Sequence, residues 1–330
     1  MNLPFTNIRQ VLSLHNKVSP EKIFLTVISK QGREELSYAE FSARCHQTAN
    51  FLQEDLGIKP GDVVAIDDTQ PASLAVLFTA CWLVGAIVKR DFVGTEKAYF
   101  LRHVDADTSL LIDEIIAWNG NQTQRVQLGG TADRYPHFDT LVRGMPNSFF
   151  NEYPEPTLDT PAYYSKVQDD PSTETFNQGL LLERAETLAN KQIITGNQRL
   201  ISYMEFGRFT NDHEVILRTL SFFLTPMLVG GSLIIDTYFN YHAYQELFWR
   251  EVAASRLHVA CISIEQIQKL TKYAREQRAI GKPIYGEGVY QQDITQLRHI
   301  YCPDAFDQSS KRIIQQFTAM FPFPVVTNNS

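Results

Sequence analysis

The sequence has no excess of basic residues, and this argues against a protein that binds nucleic acid through a charged surface. Its 330 residues include 30 lysines and arginines against 37 aspartates and glutamates, which gives a formal net charge of −7 at pH 7. A nucleic-acid-binding face needs a basic patch, because neutralising phosphates and releasing their counterions supplies much of the affinity. We therefore expect no nucleic-acid partner.

Cysteine is also scarce. The chain has four cysteines, which lie far apart and form no C-x-x-C pair: Cys45, Cys81, Cys261 and Cys302. This spacing favours buried, reduced thiols in a cytoplasmic protein over a zinc ribbon or a disulfide framework. The eight histidines are scattered, and neither His213 nor His258 has a Ser, Asp or Cys partner at an informative spacing. We therefore predict no catalytic triad and no metal site.

The sequence lacks an apolar run that would target the chain to a membrane. Its N-terminus, MNLPFTNIRQVLSLHNK, has no apolar core of signal-peptide length. Residues 69–88 carry no charge, but Gln70, Pro71, Ser73 and Gly85 interrupt them. A buried helix, a turn and a strand explain this pattern better than a transmembrane helix, so we expect no membrane span.

Strand-like and helix-like segments alternate along most of the chain, which predicts an α/β fold. The first signals are a hairpin at 24–28 and 35–38, and a helix that Ser37 and Glu40 open as a capping box. Such alternation indicates parallel strands with right-handed crossovers. Helices are predicted at 72–84, 95–104, 180–188, 212–228, 244–255, 265–276 and 308–320. Further strands are predicted at 63–66, 86–89, 110–113, 125–128, 199–203, 232–235, 258–262, 299–301 and 325–327, and surface segments at 120–160 and 278–291.

Two blocks of sequence resemble the superfamily of adenylate-forming enzymes. The first, residues 36–113, includes LSYAEFSARCHQTANFLQEDLGIKPGDVVAIDD; the second, residues 198–326, includes PMLVGGSLIID and QLRHIYCPDAFDQSSKRIIQQFTAMFPFPVV. They are similar to segments of acyl-CoA synthetases, peptide-synthetase adenylation domains and luciferases. The resemblance implies the fold of their N-terminal domain: two stacked, mostly parallel sheets surrounded by helices in a layered αβαβα arrangement. We expect lobes at about 1–155 and 156–330.

The resemblance also implies that the stretch from Tyr163 to Gly179 is the counterpart of the loop that holds the phosphates of ATP. The family loop, [ST]-[SG]-G-[ST]-[TS]-G-x-P-K-G, has small residues and a lysine, because backbone N–H groups and a cation must reach the phosphates. In this stretch no lysine follows Lys166, and three carboxylates are present instead. A carboxylate about 4 Å from a phosphate repels it by roughly 4 kcal/mol at an effective dielectric of 20. We interpret the loop as degenerate and solvated; the alternative is that its carboxylates hold a divalent cation. The degenerate positions are Asp169, Asp170, Ser172, Thr173, Glu174 and Gly179.

A second site of the family is a Gly-Gly pair against which adenine packs. At the matching place this chain has Cys302, Pro303 and Asp304, and their side chains would fill space that adenine uses. The structural alternative is an ordinary strand-to-helix loop, with Asp307 or Ser309 capping the next helix.

The segments that match the acyl or aryl pocket of the family are rich in aromatic residues. Plain core packing is the alternative for each aromatic side chain, and Glu205 and Arg208 form either a buried pair or part of a loop. The candidate pocket residues are Tyr203, Phe206, Phe209, Ser263, Tyr301 and Phe306.

The sequence ends at Ser330, where the family's Y-G-x-[TS]-E segment would begin. We expect the magnesium-binding glutamate and the small C-terminal domain with its catalytic lysine to be absent, so no catalytic residue is assigned. These departures favour a degenerate homologue without a cofactor, which binds an acyl group or docks a protein such as a carrier protein or a catalytic partner chain. The alternatives are a truncated but active acyl-CoA synthetase or acyl-AMP ligase that uses ATP and Mg, and another enzyme on the same scaffold.

Overall fold

The structure is a computed structural model of the chain. It describes residues 5–29, 32–67, 71–89, 96–101, 123–128, 135–166, 173–191, 194–202, 213–236, 245–305 and 307–327. The chain divides into two compact units whose segments interleave. The first unit comprises Met1–Lys22, Leu36–Arg184 and Phe206–Leu220, and the second comprises Ile23–Glu35, Ala185–Glu205 and Ser221–Ser330. The expected lobe boundary near residue 155 falls inside the first unit.

Helices and strands alternate along the described chain, and most of them lie within a few residues of their predicted positions. The described helices are α1 (Ile8–Val18), α2 (Tyr38–Asn50), α3 (Pro71–Val84), α4 (Phe138–Val142), α5 (Gln178–Asn190), α6 (His213–Val229), α7 (Gln245–Ala254), α8 (Ile264–Ala279) and α9 (Gln308–Thr318). The described strands are β1 (Ile23–Ser29), β2 (Gly32–Ser37), β3 (Val63–Asp67), β4 (Ile87–Lys89), β5 (Ala98–Leu101), β6 (Gln124–Gln127), β7 (Pro161–Lys166), β8 (Thr173–Asn177), β9 (Arg199–Ser202), β10 (Ser232–Asp236), β11 (Val259–Cys261), β12 (His299–Tyr301) and β13 (Val325–Val326). A π-helical turn at Phe51–Asp55 and a 3-10 turn at Gln291–Ile294 complete the list.

Each unit is built on one mostly parallel sheet. The strand order in the first unit is β6-β5-β3-β4-β7-β8, and its neighbours are parallel except for the antiparallel pair β7 and β8. The order in the second is β13-β12-β11-β9-β10-β1-β2, with parallel pairs from β13 through to β1. Central strands such as β3 are buried, as expected of parallel strands covered by helices. Two sheets surrounded by helices confirm the predicted α/β fold class.

Helix α2 begins where the sequence predicts, and its cap explains why. Ser37 Oγ accepts the N–H of Glu40 at 3.2 Å, and the Glu40 carboxylate accepts the N–H of Ser37 at 2.8 Å. This capping box satisfies two N–H groups that the start of a helix otherwise leaves unpaired. The π-helical turn then extends the helix, and Gly57 reverses the chain at a φ of +61°. The predicted inner face is buried: Phe41, Cys45, Thr48, Ala49, Leu52 and Leu56.

The predicted helix at 95–104 is wrong, because the chain forms the strand β5 there. β5 lies between β3 and β6 and pairs with both in parallel register. Phe100 is fully buried, so strand pairing and burial of its ring outweigh the helix propensity of Glu96 and Lys97 beside it. The predicted strand at 110–113 lies outside the described residues.

The predicted surface segment at 120–160 is more ordered than expected. It contains β6, as predicted, but it also forms α4 and buries Phe149. A side chain from α2 holds the irregular backbone that follows, because Asn50 Nδ2 donates to the carbonyls of Pro146 and Ser148, each at 2.9 Å. An irregular backbone can be held against a helix when its polar groups find such partners. A pattern of turn residues along the chain does not reveal them.

The cysteines are buried and free, as the sequence predicts. Burial raises the pKa of the Cys45 and Cys81 thiols, because a thiolate would lose its hydration there. Among the helices that the structure describes, none is long and apolar enough to cross a bilayer.

An aromatic cluster forms part of the core of the second unit. Trp249 of α7 is fully buried, and its ring centroid lies 4.8 Å from those of Phe248 and Phe321 and 5.0 Å from that of Tyr285. Edge-on and tilted ring pairs of this kind add to the free energy gained from burying their area. The cluster therefore joins α7 to the segment that follows α8 and to the segment that follows α9.

Tyr285 also corrects the sequence analysis, because it belongs to the segment 278–291 that was predicted as a surface loop. The middle of this segment is buried at Tyr285, Gly286 and Val289. Gly286 has a φ of +90°, and a Cβ there would lie 2.7 Å from Cβ of Glu246. The glycine thus lets the loop approach α7 closely enough for the tyrosine to enter the core.

We predict that Trp249 stabilises the protein through burial of its ring and not through a hydrogen bond of its indole N–H. The indole Nε1 is buried without a hydrogen-bond partner among the described residues. Trp249→Ala should lower the free energy of unfolding by about 3–5 kcal/mol, because it leaves a cavity. Trp249→Phe should lower it much less, since it keeps a ring and loses no hydrogen bond. Urea unfolding followed by circular dichroism measures both values, and equal losses would contradict this account of the cluster.

Candidate functional site

The predicted phosphate loop is part of a β-hairpin at one edge of the sheet in the first unit. β7 and β8 pair antiparallel as far as Lys166, which lies opposite Thr173. The prediction that Thr173 and Glu174 belong to the loop is therefore wrong, because both lie in β8, where the side chain of Glu174 is exposed. Strand pairing across the hairpin shortens the loop in a way that the sequence does not show. Outside the described residues lie the remaining acidic and hydroxyl positions: Asp169, Asp170 and Ser172.

Gly179 has a structural reason to be glycine. It lies in the first turn of α5, and its N–H donates to the carbonyl oxygen of Leu158 at 2.7 Å. A Cβ at this position would lie 3.0 Å from the same oxygen. Close approach of two backbone segments accounts for the glycine. Its N–H group is already paired and is not available to a phosphate in this arrangement.

A contact between Ser165 and His213 was missed by the sequence analysis. Ser165 Oγ lies 2.7 Å from His213 Nδ1, across a sequence separation of 48 residues. No serine lies at an informative sequence spacing from His213, and only the placement of α6 beside β7 creates the pair. Such a contact is the first half of a nucleophile–base arrangement. Ser165 is 0% exposed, so the contact ties α6 to β7 and leaves the hydroxyl inaccessible.

A buried ion pair lies in the same sheet. Lys89, at the end of β4, places its Nζ 3.3 Å from Glu96 Oε1, and the side chains are 12% and 0% exposed. Lys89 lies opposite Tyr164 of β7 in the parallel register. The charge of this lysine is thus matched by a carboxylate of the chain itself. Removing either partner would leave an uncompensated buried charge, which is strongly destabilising.

In the second unit, the predicted adenine position is held together by the carboxylate of Asp304. Asp304 Oδ1 accepts the backbone N–H of Ile264 at 2.9 Å and the thiol of Cys302 at 3.2 Å. Cys302 and Pro303 are buried. Burial, and then the neighbouring carboxylate, raises the pKa of the Cys302 thiol. The loop after β12 is therefore fastened to the first residue of α8, at the positive end of that helix.

The helices α8 and α9, which follow β11 and β12, both begin with a side-chain cap. Ser263 Oγ accepts the N–H of Gln266 at 3.2 Å, and the Gln266 side chain accepts the N–H of Ser263 at 2.7 Å. Asp307 caps α9 by accepting the N–H of Ser310 at 2.7 Å. The sequence had left Asp307 and Ser309 as the two candidates for this cap. Hydrogen bonds from Ser310, and then from Ser309, lower the pKa of Asp307 to about 2.

The described part of the candidate acyl pocket has structural contacts. Tyr301 is 1% exposed and stacks on Phe222, with ring centroids 5.6 Å apart, while Ser263 caps α8. Among the described residues, no group of three or more His, Cys, Asp or Glu side chains is arranged to hold a metal ion. Outside the described residues lie Tyr203, Phe206, Phe209 and Phe306, together with Glu205 and Arg208.

We predict that the acceptor on Asp304 stabilises the second unit. Asp304→Ala should lower the free energy of unfolding by about 1–3 kcal/mol, because the N–H of Ile264 loses its acceptor. Asp304→Asn keeps an acceptor oxygen and should lose less than half of that amount. Urea titration of the three proteins gives the comparison. If the Asn variant is as unstable as the Ala variant, the negative charge rather than the hydrogen bond holds the loop.

We also predict that Ser165→Ala destabilises the protein by about 1 kcal/mol, because it removes the partner of His213. Ser148→Ala is the matched control, since Ser148 is exposed and should change stability by less than about 0.5 kcal/mol. Thermal unfolding followed by circular dichroism compares the two variants. A loss at Ser148 equal to that at Ser165 would show that the contact contributes nothing.

Comparisons with known proteins agree with this architecture. Residues 13–160 match the family of AMP-binding enzymes. A search of curated protein sequences gives no match.

Many solved structures share the fold, including the following three. One, assigned as a long-chain-fatty-acid CoA ligase from Rhodopseudomonas palustris, is 16% identical, with a TM-score of 0.73 over 97% of this chain and 74% of its own. A benzoate CoA ligase from Burkholderia xenovorans is 15% identical, with a TM-score of 0.70 over 98% of this chain and 60% of its own. The N-terminal domain of FACL13 from Mycobacterium tuberculosis is 17% identical, with a TM-score of 0.72 over 98% of this chain and 75% of its own. This protein thus spans between 60% and 75% of those chains. It carries the AMP-binding family pattern in residues 13–160 and the fold of the N-terminal domain of adenylate-forming ligases.

Proposed function

We propose that this protein is a catalytically degenerate homologue of the acid-adenylating ligases, which acts as a non-catalytic binding or docking protein for an acyl group or a carrier protein. The observation that carries the proposal is the anchored carboxylate of Asp304. Its Oδ1 is held by Ile264 and Cys302, at the position that the resemblance assigns to adenine. A nucleotide there would have to displace a side chain that is already hydrogen-bonded.

The hairpin of β7 and β8 supports the same proposal. Glu174 adds a negative charge beside the expected phosphate position, and the N–H of Gly179 is paired with Leu158. Lys89, a cation in the neighbouring strand, is matched by Glu96 at 3.3 Å. Adenylation needs positive charge around the phosphates. Removing one preorganised charge stabiliser typically slows an enzyme by 10²–10³-fold, or about 2.7–4 kcal/mol, and several are altered here.

The second candidate is an active AMP-forming acyl-CoA synthetase or acyl-AMP ligase that uses ATP, Mg and a carboxylic acid. The match of residues 13–160 to the AMP-binding enzymes favours it, as does a fold shared with CoA ligases. Under this candidate, the altered loop and the Asp304 position would hold ATP in a different way, and a separate domain or chain would supply the catalytic lysine.

Acid-dependent exchange between ATP and pyrophosphate separates the two candidates. The substrates are Mg·ATP with benzoate or with a long-chain fatty acid, because proteins of this fold carry those names. We expect no exchange with either acid. We also expect no calorimetric heat when Mg·ATP is titrated into the wild type or into Asp304→Ala. A benzoate or fatty-acid CoA ligase serves as the positive control for the assay.

Exchange with either acid would overturn the non-catalytic proposal. Micromolar binding of Mg·ATP that Asp304→Ala alters at least about tenfold would do the same, since it would place the nucleotide beside that carboxylate. A rise in melting temperature with the fatty acid alone would favour the acyl-binding form of the proposal over the docking form.

A further inference from the structure

An open groove in the second unit runs between the second half of α8 and the stretch of chain from Arg312 to Met320, which begins within α9 and ends just after it. Its cavity volume is about 740 Å³. Three of its side chains are arginines, and the others are glutamines, alanines and a methionine. The lining residues are Arg275, Arg278, Ala279, Arg312, Gln315, Gln316, Ala319 and Met320. We call this surface the arginine groove.

The arginines of the groove have no acidic partner among the described residues. Both carboxylates of α8 are already paired with lysines: Glu276, next to Arg275, with Lys272 at 3.9 Å, and Glu265, at the other end of the helix, with Lys269 at 2.6 Å. Helix α9 contains no acidic residue, and the carboxylate of its cap, Asp307, accepts hydrogen bonds from Ser309 and Ser310. In a protein with a net charge of −7, three unmatched guanidinium groups around one groove are a local reversal of charge.

Helix stability explains only part of this arrangement. Arg278 lies in the last turn of α8, where a cation stabilises the helix dipole by about 0.3–1 kcal/mol. Arg312 lies in the first half of α9, where the dipole gives a cation no benefit. The helix dipole therefore does not explain why arginines of both helices line the same groove.

The chemistry of the groove fits carboxylates on a polypeptide. One guanidinium fork satisfies one carboxylate through two parallel hydrogen bonds, so the three arginines can engage several separate carboxylates. Arginine and methionine are enriched at protein interfaces, and Met320 lies in the groove while Ile280, directly after Ala279, is 65% exposed. A phosphate needs donors that converge on it, but the ends of helices present carbonyl oxygens here, not N–H groups.

We propose that the arginine groove binds a carboxylate-rich segment of a partner protein. This inference gives the docking role proposed above a partner chemistry, and it rests on that role. Arg275 follows Ser263 by twelve residues, so it lies about 18 Å along α8 from the Asp304 position. The two proposals can therefore fail separately: pyrophosphate exchange tests the Asp304 position, and binding of an acidic peptide tests the groove.

The test uses the whole chain and a fluorescent, alanine-based helical peptide with glutamates spaced three and four residues apart on one face. The control peptide has glutamine at the same positions. The groove variant is Arg275→Gln with Arg312→Gln, and the charge-matched control is Arg143→Gln with Arg298→Gln, two arginines that are exposed elsewhere. Surface changes of this kind are expected to leave folding intact, which melting temperatures check.

We expect fluorescence anisotropy to show binding of the glutamate peptide, weakened by about tenfold or more in the groove variant and by less than about twofold in the control variant. Binding should also weaken as salt is raised. The proposal is overturned if the glutamate peptide does not bind, if the glutamine peptide binds equally, or if both double variants lose the same affinity. It is also overturned if inorganic pyrophosphate binds the wild type more tightly than the peptide and is lost in the groove variant, since the groove would then be a phosphate site.

Discussion

The parallel register of β11 beside β12 is the constraint on which both notable surfaces of the second unit depend. Cys261 pairs with Tyr301, so the chain leaves the two strands side by side at one edge of the sheet. The loop after β12 can then place Asp304 against the start of α8. Because α8 and α9 both run back from that edge, the second half of α8 also lies beside the stretch from Arg312 to Met320, and together they form the arginine groove. One backbone register therefore creates a closed carboxylate anchor at one end and an unmatched basic surface at the other.

The proposed loss of adenylation depends on where the charges of this chain lie. A nucleotide-binding edge presents cations and free N–H groups to phosphates. Here the described N–H of Gly179 and the charge of Lys89 have partners within the protein, and Glu174 is an exposed carboxylate on β8. The unmatched arginines lie instead on α8 and α9. Within the described residues, the fold thus keeps its strands and helices, while the groove arginines lie away from the hairpin of β7 and β8.

The segments whose structure differs from the sequence prediction share a physical cause. Residues 95–104 were predicted as a helix, whereas pairing with β3 and β6 makes β5 a strand. Tyr285 was assigned to a surface loop because glycine and proline surround it, yet Trp249 buries its ring. Glu174 was placed in a loop because strand pairing across the hairpin cannot be read from one segment. In each case a contact between residues distant in sequence outweighed the local signal.

The sequence by itself determined the α/β class, the family resemblance, the capping box at Ser37 and the buried cysteines, because these depend on local periodicity, composition and short motifs. Only the tertiary structure decided that Ser165 meets His213, that Lys89 meets Glu96, that Asp304 is held by Ile264, and that three arginines from two helices share a groove. Hydrophobic periodicity records which face of an element is buried. It does not record which element lies opposite, and the pairing of charges and hydrogen bonds across elements depends on that.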